Sequence, residues 1–411
     1  MSLVKFVCTG CSCLCDDTEI EVEGTQIKKI NNACVRGAAL LSAADNPQRR
    51  ATCLVNGQET SLAEAVEEAS RLLQQAPRRL IFGLDNSTLE AQAAGMELAQ
   101  ALGAVIDDSS SFCHGPLIES ILTGALPSGS LSQIKDTADL FIYWGSNAHQ
   151  SHPRHLAKFF LPFYTELEEA GWVQKAQLCC VEVRDSETSS LCEPVFKLLP
   201  GGDRDFIAQV LNISGGGEGT PEAKTFVELI KRSHFGVIFA GLGLTYSLDG
   251  DYSLFAEMVQ KLSQWTRLVV IPMVGHFNMR GFNESLYKKT GYINKVSFAS
   301  GISHGEEFGF LEQVRSHLAD CVLVIGSDPF SSLPHHVLRE LEGVPIICFD
   351  PFITPTTKAA QVVFGTAISG LEVGGRAIRM DGDEIPLPVA KSSGYPSDEE
   401  ILKRLAEKVS G

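Results

Sequence analysis

From residue 61 onward, short apolar segments alternate with amphipathic segments along the chain. Ser61 and Glu64 form a capping-box pattern, and the apolar residues that follow recur at helical spacing. Residues 88–102 are rich in alanine and predict a helix that Gly103 ends. Short apolar strands are predicted at 80–83, 104–107, 140–144, 178–183, 237–240, 268–271, 322–325 and 346–349. Strands that alternate with helices predict an α/β fold, with a parallel sheet covered by helices on both faces.

The segments on either side of this region have a different character. Residues 19–23 alternate between polar and apolar side chains before a glycine, which predicts a small β element over 16–33. Residues 45–60 are polar and rich in turn formers, so they predict a domain boundary. Residues 387–396 predict a linker before a last short helix that begins near Ser397.

Composition and charge narrow the class of protein. The 411 residues are 44% hydrophobic and 20% charged, as in globular proteins of two or three domains. A formal net charge of −16 argues against a nucleic-acid or anionic-membrane partner. We find no apolar stretch of about eighteen residues and no apolar leader, so we expect a cytoplasmic protein without a membrane span. The twelve cysteines are too sparse for a disulfide scaffold and indicate reduced thiols or metal ligands.

The cysteines near the N-terminus have the spacing of a metal–sulfur centre. Cys8, Cys11 and Cys15 form the pattern C-x2-C-x3-C, and Cys34 follows after eighteen residues. Three cysteines in one loop with a distant fourth favour a [4Fe–4S] cluster, whereas a zinc ribbon pairs two C-x2-C knuckles. A structural zinc site and a group of buried free thiols are the alternatives. Cys13 is left out of the ligand set, because alternation along the loop directs its side chain away from its neighbours.

Two strand ends share one sequence pattern. In each, Ala-Asp is followed by five mostly apolar residues and then by Gly-Ser-Asn or Gly-Ser-Asp. These exits are Gly145, Ser146 and Asn147, and Gly326, Ser327 and Asp328. Ligands of open α/β sheets bind at the carboxyl ends of strands, so the pattern predicts two equivalent ligand sites; the alternative is two ordinary strand-to-loop turns. The chain has no complete dinucleotide fingerprint, since Gly241-Leu242-Gly243 lacks the third glycine.

Cys113 and His114 are the first candidates for chemistry at a single site. They precede a Gly-Pro turn beyond the strand that ends at Asp107, which predicts a thiol at an exposed turn. Such a thiol could be a nucleophile or a metal ligand, although an isolated Cys-His pair is usually neither.

Two other loops carry histidines after predicted strands. His152 lies in a segment dense in cations and imidazoles, which could bind phosphate or simply begin a helix. Gly275, His276 and Asn278 follow the strand that ends near Pro272, so they could line a crevice or be a satisfied loop.

These motifs together resemble the molybdopterin oxidoreductases that carry an N-terminal iron–sulfur cluster. The resemblance is strongest to the B subunits of tungsten- or molybdenum-dependent formylmethanofuran dehydrogenases, and it runs over nearly the whole chain. The motifs that carry it are VCTGCSCLCDD from Val7, NAC from Asn32, SSFCHGP from Ser110, WGSNAHQSHPRH from Trp144, IPMVGHFN from Ile271, GSDP from Gly326, TPTT from Thr354 and GLEVGGRAIRMDG from Gly370.

The resemblance implies a role for each motif. Cys8, Cys11, Cys15 and Cys34 would hold the [4Fe–4S] cluster, and Cys113 would be the protein ligand of tungsten or molybdenum beside two pterin dithiolenes. His114 would handle protons in that pocket. The two strand exits would hold the guanosine ends of a bis(molybdopterin guanine dinucleotide), with His152, Gly275, His276 and Asn278 as further cofactor-binding residues.

The resemblance also implies the domain organisation. Residues 1–50 would form a small iron–sulfur domain, followed by two doubly wound parallel-sheet domains of the molybdopterin oxidoreductase type. The first would combine 51–135 with 285–390, the second would span 136–284, and residues 391–411 would be a C-terminal tail with a short helix.

In this family the B subunit is an oxidoreductase of one-carbon metabolism and methanogenesis that interconverts CO2 and formate, with an iron–sulfur acceptor. The partners that the resemblance implies are an amidohydrolase-like formyl-transferring subunit, ferredoxin-like electron carriers and a small β-barrel subunit that closes the pterin site. No such barrel follows residue 380 here, so we expect a separate barrel subunit and an exposed apolar patch over 370–380 where it docks.

One position departs from the family pattern. The family has an arginine in the formate pocket where this chain has Val274, and a cation there would hold a carboxylate. A related bacterial formyltransferase/hydrolase complex uses a B subunit without redox chemistry. The resemblance therefore implies two functions, a redox enzyme and a non-redox scaffold.

Overall fold

The computed structural model describes residues 2–160 and 176–410 and divides the chain into two units. Unit 1 comprises Met1–Phe112, His276–Arg379 and Glu384–Gly411, and unit 2 comprises Cys113–Gly275 and Met380–Asp383. The division after Phe112 lies upstream of the predicted boundary at 135, and the division after Gly275 lies upstream of 284. Residues 161–175, which fall in the second predicted pterin-binding domain, lie outside the described residues.

The strands follow the apolar segments of the sequence. They are β1 (Ser2–Phe6), β2 (Thr18–Glu23), β3 (Gln26–Asn31), β4 (Leu54–Val55), β5 (Gln58–Glu59), β6 (Arg79–Gly83), β7 (Val105–Asp107), β8 (Leu140–Trp144), β9 (Gln177–Glu182), β10 (Val195–Lys197), β11 (Phe235–Ala240), β12 (Arg267–Pro272), β13 (Val296–Ser297), β14 (Ser303–His304), β15 (Cys321–Ile325), β16 (Ile346–Asp350), β17 (Val362–Gly365), β18 (Gly375–Ile378) and β19 (Glu384–Leu387).

The described α-helices connect and flank these strands. They are α1 (Val35–Ala44), α2 (Leu62–Gln75), α3 (Leu89–Leu102), α4 (Gly115–Leu122), α5 (Leu131–Thr137), α6 (Ala148–Ser151), α7 (His155–Phe159), α8 (Asp203–Ser214), α9 (Pro221–Arg232), α10 (Leu242–Ser247), α11 (Ser253–Leu262), α12 (Met279–Thr290), α13 (Phe310–Arg315), α14 (Pro329–Ser332), α15 (His335–Leu338), α16 (Pro355–Ala359) and α17 (Asp398–Ser410). Short 3-10 turns cover Ser109–Phe112, Ser189–Leu191, Glu306–Phe308 and Arg339–Leu341.

Unit 1 is built on a nine-stranded sheet with the order β14-β13-β7-β6-β15-β16-β17-β4-β5. The five strands from β7 to β17 run parallel, and antiparallel strands flank them on both edges. Strands β1 to β3 form a separate antiparallel sheet, which contains the β element that the sequence predicts. Helix α17 begins where the sequence predicts it and buries Ile401, Leu402 and Leu405 in the apolar core of this unit.

Unit 2 is built on a five-stranded sheet that is parallel throughout, in the order β10-β9-β8-β11-β12. All residues of β8 and β11 are buried, because helices cover both faces of the sheet. The prediction of an α/β fold with parallel sheets is therefore confirmed in both units.

The helix-end signals are confirmed as well. The Ser61 side chain accepts a hydrogen bond from the Glu64 amide, and the Glu64 carboxylate accepts one from the Ser61 amide. Helix α3 ends at Gly103, whose φ of +59° is in the left-handed region. No helix among the described residues is long and apolar enough to cross a membrane.

The predicted apolar patch over 370–380 is wrong. Leu371, Ala377 and Met380 are 0% exposed and Ile378 is 6% exposed, so the apolar side chains of this segment are used inside the chain. The consecutive apolar residues Ala377 and Ile378 of β18 are both buried, and Arg376, which is exposed, pairs with Glu90 at 2.8 Å.

A buried ion pair links the end of the N-terminal segment to the loop after β17. The Arg50 guanidinium donates two hydrogen bonds of 2.9 Å to the Glu372 carboxylate, and the two side chains are 4% and 2% exposed. Arg50 also lies over the Tyr395 ring at 4.0 Å. Breaking such a pair leaves an uncompensated buried charge.

We predict that Glu372→Ala lowers the free energy of unfolding of the chain by about 3–5 kcal/mol. The matched control is Glu399→Ala, which removes an exposed helical pair with Lys403 and should leave the free energy of unfolding nearly unchanged. Urea denaturation followed by circular dichroism measures both values. Equal losses in the two variants would show that the Arg50–Glu372 pair does not hold these segments together.

Candidate functional site

The loop with the first three cysteines is closed and buried. The Cys8 amide donates to the Cys15 carbonyl at 2.9 Å, and Leu14 turns the chain with a φ of +43°. Cys8, Cys11 and Cys15 are each 7% exposed or less. The loop thus brings three thiols into a small space shielded from water.

The fourth cysteine reaches this loop through helix α1. Cys34 is the residue that precedes the helix, and its side chain makes no capping hydrogen bond. Gly37, in the first turn, lies so close to the loop that a Cβ there would approach the Cys8 Sγ to 2.8 Å. The thiol of Cys34 is therefore not used as a cap, and the start of the helix packs against the cysteine loop.

The ligand set Cys8, Cys11, Cys15 and Cys34 stays a prediction. Over residues 2–160 and 176–410, no three His, Cys, Asp or Glu side chains are arranged to hold a single metal ion.

Cys13 does not point away from its neighbours, which corrects the sequence analysis. It is 1% exposed and forms a hydrogen bond with Cys11, which lowers the pKa of the Cys11 thiol to about 7. The same hydrogen bond and burial raise the pKa of Cys13, and the charges of Cys15 and Cys34 contribute to this increase. Alternation misjudges this side chain because the loop is a turn and not a strand.

Cys113 and His114 begin unit 2 at the entrance to helix α4. Cys113 is half-buried, and His114 is only 3% exposed, so the predicted exposed turn is largely covered. Burial lowers the pKa of His114 to about 4, with a smaller contribution from the charge of His152. His114 hydrogen bonds with the backbone of Met273, and its Nδ1 has no partner among the described residues.

His152 is fully buried beside the position that departs from the family pattern. Its Nε2 lies 2.7 Å from the carbonyl oxygen of Val274, and its Nδ1 lies 2.8 Å from the Ser151 hydroxyl. Val274 is 0% exposed. His152 is thus tied to the backbone of unit 2, and it lies just outside the short helix α6.

The two strand exits with the shared sequence pattern also share a backbone geometry. Gly145 follows β8 and Gly326 follows β15, and both have a φ of +57°. Ser146 and Ser327 are buried, and Asn147 and Asp328 then begin four-residue helices, α6 and α14. The sequence repeat is therefore a structural repeat.

These exits lie where the strand order of each sheet reverses. Strand β8 has β9 on one side and β11 on the other, and β15 has β16 and β6. A Cβ on Gly241 would lie 2.1 Å from the Gly145 carbonyl oxygen, and a Cβ on Gly83 would lie 2.3 Å from the Ile325 carbonyl oxygen. Only glycine permits these approaches, and crevices at such reversal points are where ligands of α/β sheets bind.

A cavity opens at each reversal point. In unit 1 a cavity of about 420 Å³ is lined by Gly326, Asn86 and Asp350, and by Thr9 and Gly10 of the cysteine loop. Burial is the main cause that raises the pKa of Asp350 to about 7, and the charges of Asp328 and Asp398 contribute to this value. In unit 2 a cavity of about 320 Å³ is lined by Gly145, Gly243, Glu182 and Tyr246. Asp350 and Glu182 are the last residues of β16 and β9, so they occupy corresponding positions.

The loop after β12 is held by internal hydrogen bonds. The Asn278 side chain donates to the Ser87 carbonyl at 2.7 Å and accepts from the Ile378 amide at 2.8 Å, so both of its polar atoms are used. His276 Nδ1 lies 2.7 Å from Oδ2 of the buried Asp85. A Cβ added to Gly275 would have no other atom within 4 Å, so the space beside this glycine is open.

The sequence analysis did not identify Asp350, Glu182 or Asp85, the acidic residue that contacts His276. Asp350 and Glu182 end their strands, and the repeat of their neighbours could have indicated them. Asp85 has no such signal, because its partners come from segments far away in the sequence.

Comparison with known proteins gives curated relatives of the same length. A scan against models of protein families finds no match. The B subunit of tungsten-containing formylmethanofuran dehydrogenase 2 from Methanocaldococcus jannaschii is 32% identical over 428 residues, which covers 98% of both chains. The corresponding subunit of Methanococcus maripaludis is 29% identical over 427 residues, again with 98% of both chains.

Two solved structures share the fold. A chain of the formyltransferase/hydrolase complex (FhcABCD) from Methylorubrum extorquens, solved with methylofuran, has a TM-score of 0.71 at 18% identity and covers 87% of this chain and 98% of that chain. Acetylene hydratase from Pelobacter acetylenicus has a TM-score of 0.74 at 11% identity, over 99% of this chain and 69% of that chain. At these identities the two structures are evidence of fold alone.

The cysteine loop leads to a prediction about iron. Protein purified without air should contain about four irons per chain, with thiolate-to-iron absorption that bleaches on reduction. Cys11→Ser should lose the iron and destabilise residues 1–40, because metal binding there is also folding energy.

Cys13→Ser is the matched control for iron analysis. It changes the thiol beside Cys11 but leaves the four predicted ligands in place, so the iron should remain. Zinc in the wild-type protein, or loss of iron from Cys13→Ser but not from Cys11→Ser, would contradict the predicted ligand set.

Proposed function

The chain belongs to the family of formylmethanofuran dehydrogenase B subunits, and from that premise we propose that it interconverts CO2 and formate at a tungsten or molybdenum bis-pterin centre. In this proposal the electrons pass through a [4Fe–4S] cluster. The observation that carries it is the pair of matching cavities at the reversal points of the two sheets, in a chain that also keeps the cysteine loop and Cys113.

The cluster would be held by Cys8, Cys11, Cys15 and Cys34. The buried loop and the close packing of Gly37 on Cys8 support this set. A half-exposed Cys34 would leave one side of the cluster near the surface, where an electron carrier could reach it.

Each cavity would take the guanosine end of one pterin dinucleotide. A guanine base presents ring and amino N–H donors, and a carboxylate at the strand end would accept both. In this proposal Asp350 in unit 1 and Glu182 in unit 2 would make that contact, since each lines its cavity. The Gly-Ser exits beside them offer backbone amides and hydroxyls for phosphate oxygens.

Cys113 would be the protein ligand of the metal. When bound, the metal–pterin centre supplies the two-electron chemistry of CO2 and formate. The chain's own contribution would be His114, which is held by its bond to the backbone of Met273 and would accept or donate a proton at its bare Nδ1.

The partners in this proposal are the other subunits of a formylmethanofuran dehydrogenase complex. The curated relatives are named as subunits, and one chain with the same fold comes from a multi-subunit complex. We propose an amidohydrolase-like subunit, a β-barrel subunit and ferredoxin-like carriers as partners.

Val274 favours a second candidate function, a non-redox scaffold. Its side chain is apolar and 0% exposed, so it cannot hold a formate carboxylate in the way that the family arginine would. Arg280, six positions on, pairs with Glu284 at 2.9 Å, so its charge is already engaged on α12. Under this candidate Cys113 would be an ordinary half-buried thiol.

The redox proposal predicts that the Cys113 thiol is blocked by metal in the intact complex. Alkylating agents should miss it until the cofactor is stripped. Cys113→Ser should abolish formate oxidation with an artificial electron acceptor, because a hard alkoxide is a poor ligand for a soft metal. The iron content should be unchanged.

His114→Ala serves as the graded comparison. Loss of a general acid–base group typically lowers turnover by about 10²–10⁴-fold, so this variant should keep measurable activity. Free alkylation of Cys113 at every stage would favour the scaffold.

Val274→Arg tests directly whether the missing family arginine limits the activity of the site. If the redox site is weakened by the lost cation, this variant should increase formate turnover, by up to about 10²-fold. Val274→Met is the control, because it adds length without charge. No gain in a complex that holds metal and pterin would contradict the view that Val274 limits the site.

A further inference from the structure

A group of buried oxygen atoms in unit 1 lacks hydrogen-bond donors. Oδ1 of Asp85, Oδ2 of Asp108 and Oδ1 of Asn283 have no partner among the described residues, and all three residues are 0% exposed. An unsatisfied buried acceptor costs about 1–3 kcal/mol, and more when it is charged. These three oxygen atoms therefore lack a hydrogen-bond donor that their burial calls for.

Asp85 and Asp108 are brought together by neighbouring parallel strands. Asp85 follows β6 and Asp108 follows β7, and Phe82 pairs with Asp107 between these strands. The charge of Asp85 is the strongest charge that acts on Asp108, ahead of that of the adjacent Asp107.

The contacts of Asp85 fix the proton position on His276. Oδ2 of Asp85 accepts a hydrogen bond from the Ser109 hydroxyl and lies 2.7 Å from His276 Nδ1. Ser109 Oγ also lies 2.9 Å from that nitrogen. The Ser109 hydroxyl donates its only proton to Asp85, so it can only accept a hydrogen bond from His276. Nδ1 of His276 therefore carries a hydrogen atom. Nε2 is then the ring nitrogen that gains or loses a proton. The His276 side chain is 39% exposed, whereas that of Asp85 is 0% exposed.

The contacts of Asp108 leave only one oxygen for a proton. Oδ1 accepts from the Ser110 hydroxyl at 2.5 Å and from Asn283 Nδ2 at 3.3 Å. Asn283 Nδ2 also donates to the Ile293 carbonyl at 2.9 Å, which fixes the orientation of the amide. A proton on Oδ2 of Asp108 would supply a donor among these residues, where Oδ1 of Asp85 and Oδ1 of Asn283 have no donor.

We propose that Asp85, Asp108 and His276 form a proton-exchange site, in which Asp108 stores a proton and His276 exchanges it with solvent through Asp85. When Asp108 has given up its stored proton, a proton taken up at Nε2 of His276 releases the proton of Nδ1 to Asp85, and Asp85 passes it to the ionised Asp108. Ser109 is a positioning residue, because it holds the shared oxygen of Asp85 against the imidazole.

The charges around the site favour a single stored proton. Burial raises the pKa of Asp108 well above its ordinary value, and the charges of Asp85 and Asp107 raise it further. Burial alone would raise the pKa of Asp85 too, but the charge of His276 and the hydrogen bonds from His276 and Ser109 lower it. Asp85 is thus the ionised member of the pair and Asp108 the protonated one.

Partial burial and the charge of Arg36 oppose protonation of His276, but Asp85 outweighs both and raises its pKa. The other charges on the elements packed here are Asp107 and the Arg280–Glu284 pair on α12. The oxygens of Asp107 accept from the amides of Phe310 and Lys295 and from Ser111, so Asp107 is satisfied as a carboxylate.

The use of this site rests on the proposed function. Reduction of CO2 by two electrons takes up one proton to give formate, so the reaction needs a proton source that exchanges with water. The existence of the stored proton does not depend on that reaction, and it can be measured separately.

Infrared difference spectroscopy on the intact complex tests the site. At pH 8 the wild type should show the C=O stretch of a protonated carboxyl that Asp108→Asn lacks. The wild-type-minus-variant spectrum isolates Asp108 from the other buried acids. The matched control is Asp107→Asn, because burial raises the pKa of Asp107 only to about 6 and leaves it ionised at this pH. An unchanged band in Asp108→Asn would overturn the proposal.

The route through His276 is tested by hydrogen exchange of the same band. After transfer to D2O, the deuterium shift should be about 10²-fold slower in His276→Gln, which can still donate a hydrogen bond to Asp85 but cannot titrate. Equal rates in the variant and the wild type would overturn the role of His276.

Formate turnover separates this inference from the proposed function. In a complex with the same metal and iron content, His276→Gln should lower turnover, and normal turnover would show that the site does not supply the proton. If the complex holds no tungsten, molybdenum or pterin, the proposed function fails while the infrared result still decides the site.

Discussion

The close approach of parallel strands at their carboxyl ends is the constraint on which the candidate site depends. Gly83 and Gly241 each face a carbonyl oxygen on the neighbouring strand at a distance that a Cβ would not permit. Any other residue there would separate β6 from β15, or β11 from β8. The cavities beside Gly326 and Gly145 open at these points, so the shape of each depends on a missing side chain.

A glycine also permits the close packing of the cysteine loop. Gly37 lets the first turn of α1 pack on Cys8, and this packing brings Cys34 to a loop that already buries three thiols. The ion pair of Arg50 and Glu372 then ties the following segment to the loop after β17, which lines the unit 1 cavity. Gly37 and the Arg50–Glu372 ion pair thus both hold chain segments that lie around the cysteine loop and the unit 1 cavity.

Much of the fold could be predicted, because it depends on local signals. Apolar runs such as 140–144 and caps such as Ser61 and Gly103 act over a few residues, and the structure confirms them. Cys13 was misjudged because alternation holds for strands and not for turns. The exposed patch over 370–380 was wrong because burial of Leu371 and Met380 depends on packing that periodicity does not describe. The Asp85–His276 contact joins residues 191 positions apart, and no spacing rule could indicate it.

Two observations point in different directions, and one measurement decides between them. Intact cysteines and matching cavities favour a redox enzyme, whereas the apolar Val274 favours a scaffold. The direct test is the tungsten, molybdenum and pterin content of the intact complex purified without air. The account predicts about one tungsten or molybdenum atom and about two pterin guanine dinucleotides per chain. A complex that contains its iron but neither metal nor pterin would contradict it.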